Sequence, residues 1–164
     1  MSKQKSITIK GNKEVDFVVY GLLTDELADY QIAMALNEKM RWNLRSYLPM
    51  EDLEADPPYK FHFFGENNQS GHFQIALWRN WQNDQVFNPE LKTIQYFLRV
   101  TGEWGEAQDA QLMKSLKEIL GSTNAINIKA ELLKNPEYFM FQIMSREQKE
   151  ERNLRAKLRE SNIN

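Results

Sequence analysis

With 164 residues, 41% of them hydrophobic and 27% charged, the chain can bury roughly 70% of its unfolded surface in one core and lies outside the low-hydrophobicity regime of disorder. Its 21 basic and 23 acidic side chains leave a net charge of -2, so nucleic acid or anionic lipid could be held only by a local patch. The absence of cysteine excludes disulfides, thiolate nucleophiles, Cys-based zinc sites and iron–sulfur clusters.

The segment Met1–Lys13 carries four lysines but no apolar run of signal-peptide length, and nowhere do roughly 18 apolar residues run together, so the chain is expected to be cytoplasmic and to have no membrane partner. Val15–Leu23 is apolar and β-branched and predicts a strand, which reaches Thr24 and Asp25, two residues suited to cap a helix. Leu27, Tyr30, Ala33, Met34, Leu36 and Met40 recur near helical spacing, so Glu26–Met40 reads as a helix with one broad buried face. Trp42–Tyr47 alternates weakly, as a short strand does, and the acidic, proline-containing stretch Met50–Pro58 reads as a loop.

Tyr59–Phe64 and His72–Trp78 are strand-like runs joined by a polar connector with glycine at each end, the pattern of an antiparallel hairpin. Ile94–Thr101 alternates most regularly, with Ile94, Tyr96, Leu98 and Val100 on one side and Gln95, Phe97, Arg99 and Thr101 on the other. Leu112, Met113, Leu116, Ile119 and Leu120 mark a second helix that stops at Gly121. Ala125–Leu133 alternates again, with Ile126, Ile128, Ala130 and Leu132 facing one way, and Tyr138–Ile143 is a further short apolar run. From Ser145 to Ser161 only Leu154, Ala156 and Leu158 interrupt a polar, charged stretch, so a helix there has little to bury. The fold expected from this order is α+β: a mixed or antiparallel sheet of about five or six strands with two main helices on one face. Residues 1–144 form the domain in this reading, and 145–164 form a polar, helical C-terminal tail.

The segment Asn88-Pro89-Glu90-Leu91-Lys92-Thr93-Ile94-Gln95-Tyr96 has the spacing of an I-P-E-x-x-x-V-D-Y signature, and it resembles the IPExxxVDY family of uncharacterised Bacteroidota proteins. Pro89, Glu90 and Tyr96 match that pattern, Ile94 is a conservative replacement, and Asn88 and Gln95 depart from it. The surrounding order is similar too: a strand, an Asp29-Tyr30 helix ending in Ala35-Leu36-Asn37, then a hairpin. The resemblance implies a fold plan and a cytoplasmic setting, and it implies no reaction. Taken as chemistry, the same residues read as structural, with Asn88 as N-cap, Pro89 at the first helical position and Glu90 at the positive end of one helical turn.

No catalytic residue, metal site or cofactor is assigned from the sequence. His62 and His72 fall on one face of the expected hairpin without a third ligand and read as surface histidines. There is no G-x-S-x-G elbow, G-x-G-x-x-G loop or phosphate-cradling P-loop, and an enzyme with a carboxylate pair assembled only in space is the third reading of function. The leading reading is a non-enzymatic binding or adaptor module that meets a protein partner through an open sheet face or the tail. The candidate face is Lys60, His62, Phe64, Trp78, Phe97 and Arg99, whose aromatic and basic mixture makes single-stranded RNA the alternative partner. Against both stands a minor core covered by the tail or a loop. Between the two central aromatics, Phe97 is expected to be the more exposed, because Gln95 and Arg99 flank it on its own face.

Overall fold

The computed structural model describes residues 7–9, 13–15, 17–46, 50–52, 59–61, 63–67, 73–128, 133, 139 and 153–162. In chain order the principal elements are strand β1 (Phe17–Leu22), helix α1 (Asp29–Met40), strands β2 (Arg45–Ser46), β3 (Phe63–Asn67), β4 (Phe73–Arg79) and β5 (Tyr96–Gly102), helix α2 (Glu106–Leu120) and strand β6 (Ala125–Ile128). The six strands make one sheet in the order β6-β1-β5-β4-β3-β2, and every neighbouring pair is antiparallel. The expected α+β class, sheet size and two main helices are therefore observed. A C-terminal helix spans 153–161.

The sheet is buried on both faces, and the sequence of its central strands states why. Period-two alternation divides β1, β4 and β5 into two sets, both largely apolar. Val18, Tyr20 and Leu22 of β1, Phe73, Ile75 and Leu77 of β4, and Tyr96, Leu98 and Val100 of β5 meet Ile32, Ala33 and Leu36 of α1 and Leu112, Leu116 and Leu120 of α2. The opposite set includes Phe17 and Val19 of β1, Ala76 and Trp78 of β4, and Phe97 of β5. These form a second cluster with Ile94, Ile128, Leu133 and Phe139, with Phe87 and Leu91 packed against it.

Several local expectations shift. Helix α1 begins at Asp29, three residues later than Glu26, because Thr24 spends its hydroxyl on the Glu26 N–H within the preceding bend (3.3 Å). The cap at the observed start is supplied from inside the helix: the Gln31 side chain reaches back to accept from the Ala28 N–H at 2.8 Å. Gln108 does the same for Gly105 at the start of α2 (2.7 Å). Both satisfy an N–H that has no intrahelical partner. Within the expected loop, Met50–Asp52 instead pairs as a strand with Tyr59–Phe61, opposite Lys60 through Glu51. Tyr59–Phe61 thus belongs to a separate ribbon, and only Phe63–Asn67 pairs with β4. The strand expected from Ile94 starts at Tyr96, since Gln95 turns aside to exchange backbone bonds with Leu22 and Asn80. Ile94 accordingly lies in the second cluster, away from Tyr96, Leu98 and Val100.

At Gly21 the second cluster leaves no room for a side chain. A Cβ there would stand 2.6 Å from Ile94 Cδ1 and 3.0 Å from Ile128 Cδ1. Gly21→Ala is expected to lower stability by about 1–3 kcal/mol through overpacking. Pairing it with Ile94→Val, which removes the crowding methyl, recovers part of that loss; chemical denaturation of the three proteins checks the order.

Candidate functional site

Three constructions decide what the candidate residues do. The first is the turn between β4 and β5. Asn80 is fully buried directly after β4, and its side chain donates to the Leu91 and Ile94 carbonyls (both 2.9 Å) while accepting from the Asn88 N–H (2.8 Å). Its own backbone N–H and C=O bond Gln95 and Phe87 at 2.7 Å. One asparagine thereby holds both ends of the excursion 81–95, with its donors and acceptor matched to fixed backbone partners. The excursion contains a tight hairpin, Trp81–Gln82 against Gln85–Val86, whose connecting residues Asn83 and Asp84 both have positive φ, 49° and 64°. Asparagine and aspartate tolerate that conformation and suit a two-residue hairpin loop. A 3-10 turn, Pro89–Leu91, follows, with Asn88 as N-cap accepting from the Glu90 N–H at 3.0 Å and Pro89 at its start. The motif residues Pro89, Glu90, Ile94 and Tyr96 do not converge on one site. Pro89 and Glu90 are exposed, Ile94 is in the second cluster, and Tyr96 is in the helix-side cluster, its hydroxyl donating to the Leu27 carbonyl at 2.8 Å.

The second construction is the aromatic cluster on the sheet face opposite the helices. Phe97 lies between Gly21 on β1 and Trp78 on β4 in register, and both aromatics have no solvent exposure. Trp78, Phe87, Phe97 and Phe139 pack together, with ring centroids as close as 5.1 Å between Phe97 and Phe139 at 85°. Edge-to-face pairs of this kind are favourable beyond their buried area. The open-face expectation is corrected here. Phe87, Leu91 and Ile94 from the excursion, and Leu133 and Phe139 from the chain beyond β6, cover the face that carries Trp78 and Phe97.

Arg99 is covered as well, at 1% exposure, opposite Ala76 on β4 and Val19 on β1. Its guanidinium donates to the Phe139 carbonyl, so it clasps the covering segment to the sheet and offers no charge to a ligand. Burial pushes this group down to about 9, which still leaves it cationic near neutral pH. Phe64 also departs from expectation. It pairs with Leu77, so it shares the helix-side face and packs against that cluster, not beside Trp78. Of the remaining two candidates, Lys60 lies in the ribbon strand Tyr59–Phe61, and His62, like His72, lies outside the described residues. The six candidates are therefore not brought together on an exposed face.

The third construction joins the sheet to α2. The Tyr20 hydroxyl donates to Asp109 in the first turn of α2 and accepts from Trp104 Nε1 at 3.0 Å. Burial first, then the bond to Asp109 and its charge, push the Tyr20 hydroxyl far above the ordinary phenol range, so it remains a neutral donor. The sequence marks Tyr20 only as an apolar strand residue, because its partner lies 89 positions away.

Among the described residues, no group of three or more His, Cys, Asp or Glu side chains could hold a metal ion, and no helix is long and apolar enough to cross a membrane. What these residues leave exposed is different in kind. Leu154 and Leu158 are 60% and 55% exposed on helix 153–161, and Tyr30 and Met34 are 54% and 66% exposed on α1. Comparison with protein-family models, curated proteins and solved structures finds no match to this chain.

Proposed function

We propose that the protein is a cytoplasmic, non-enzymatic binding or adaptor module that engages a protein partner through its C-terminal helix, residues 153–161. The observation that carries this reading is the pair Leu154 and Leu158, four residues apart on a helix whose residues are all exposed. A helix of so few residues is marginal by itself, and an apolar i,i+4 pair that buries nothing at home is what a helix-in-groove contact uses. Within helix 153–161, Lys157 and Arg159 accompany the pair against the acid Glu160, so the groove it fits is acidic at its rim. Membership of the IPExxxVDY family belongs to the same proposal, supported by Pro89, Glu90 and Tyr96 in the sequence alone. RNA stacking on the sheet is not proposed again, because its aromatic platform, Trp78 and Phe97, is covered.

Capture from native cells by the tagged full-length chain tests the reading, performed with and without nuclease and repeated with Leu154→Asp/Leu158→Asp. Bound protein, including further copies of the chain, is expected to survive nuclease and to be lost from the double variant. Capture that nuclease abolishes would make RNA the partner, and capture indifferent to the two leucines would remove the helix as the contact element.

A further inference from the structure

The exposed side of α1 has the opposite character to the C-terminal helix. Tyr30, Met34 and Glu38 follow one another at i, i+4 and i+8, all exposed, and so form a single stripe along the helix. Its apolar pair is bounded by Glu38 at one end and by exposed Asp25 and Glu26 in the bend before the helix at the other. Of the two cations at that end of the helix, Lys39 is engaged across the helix layer by Glu118 at 2.7 Å, and Arg41 is exposed at the C-cap. The C-terminal helix carries the complement, a Leu154–Leu158 pair bounded by Lys157 and Arg159. Two short apolar stripes of equal i,i+4 spacing, one edged with acids and one with bases, match in both shape and sign.

A hollow along α2 fits less well. It is lined by Ala110, Met113, Lys114, Lys117 and Glu118, and its two lysines would repel a basic helix. Nor does the chain satisfy itself, since Tyr30, Met34, Leu154 and Leu158 are all exposed together. We infer that the Tyr30–Met34 stripe of α1 is the docking face for helix 153–161 of a second copy of this chain. A reciprocal exchange closes with two-fold symmetry, each copy giving one helix and receiving one, and so doubles a contact that is small on its own. This inference rests on the proposed role of the C-terminal helix.

Sedimentation velocity of the full chain tests it from about 1 µM to a few hundred µM, a range suited to an interface at the small, weak end of the size scale. The sedimentation coefficient is expected to rise from that of a monomer to that of a dimer, and the rise weakens in high salt because the flanking charges are exposed. Leu158→Asp and Met34→Asp, both at exposed positions, are each expected to remove the rise while leaving the thermal midpoint within a few degrees of the parent. Glu26→Lys/Glu38→Lys is expected to weaken association at least about tenfold, and adding Lys157→Glu/Arg159→Glu restores it, since the signs again match. A monomer at every concentration, a dimer indifferent to Met34→Asp, or a charge swap that fails to rescue would overturn the inference. If the chain stays monomeric while capture from cells still depends on Leu154 and Leu158, the inference falls and the binding role stands. If capture ignores the leucines, both fall.

Discussion

Replacing Phe97 with alanine is expected to remove about 3–5 kcal/mol of stability, the range for deleting a large aromatic from a packed core. The ring has no exposure, and it touches Trp78, Phe87 and Phe139, which come from three different parts of the chain. The cavity left by truncation therefore loosens the sheet, the excursion and the covering segment together. Trp78→Ala should fall in the same range, since it meets the same rings. Urea unfolding gives both values, with Met34→Ala as the exposed control expected to move by less than about 0.5 kcal/mol. A Phe97→Ala protein as stable as the parent would mean that this face is open after all. Since total stability is commonly only 5–15 kcal/mol, either aromatic truncation leaves a protein with little margin.

Asn80→Ala is expected to be comparably damaging although it deletes only one amide. Two buried backbone groups, the Ile94 carbonyl and the Asn88 N–H, lose this partner at once, while the Leu91 carbonyl keeps its bond from the Ile94 N–H. At about 1–3 kcal/mol for each orphaned buried group, the loss should reach roughly 2 kcal/mol or more. Asn80→Asp separates the roles of the amide. It keeps the acceptor for Asn88 but sets carboxylate oxygens against two carbonyls, so its folded-state pKa is raised above the unfolded value of about 3.9. The folded variant then holds a proton that the unfolded chain has released. Its deficit relative to the parent should therefore be smaller at about pH 4 and grow as pH rises through the raised pKa. Denaturant midpoints of parent and variant across that window test the sign. A deficit that is constant with pH would show that the side chain does not face these carbonyls.

The α+β class and the alternation of the central strands were legible because period-two and near-helical patterns are local properties of the chain. The same locality made the Asn88–Pro89 turn legible, as cap and turn chemistry is settled within a few residues. Alternation even placed Phe97, Arg99 and Trp78 on their correct face. What it could not supply was a cover for that face, because Phe87 and Ile94 return to it only through the turn that Asn80 holds, and Leu133 and Phe139 arrive from far along the chain. Gln95 and Arg99 made Phe97 look solvated. Gln95 instead lies outside the strand, and Arg99 is held under the Phe139 carbonyl.

Phe64 was misplaced for a related reason. Its sequence runs on from Tyr59–Phe61 as if one strand, whereas the ladder changes partner between Phe61 and Phe63, and a shift of one residue exchanges the faces. Asn80 carried no local sign at all, since its partners lie eleven to fourteen residues onward in one case and eight in the other. By itself, then, the sequence determined the two main helices, the central strands with their alternation and a C-terminal helix with too little to bury. Tertiary structure decided which set met helices and which met the excursion 81–95 and the chain beyond β6, because burial depends on what returns to the sheet, and periodicity reports only which side a residue takes.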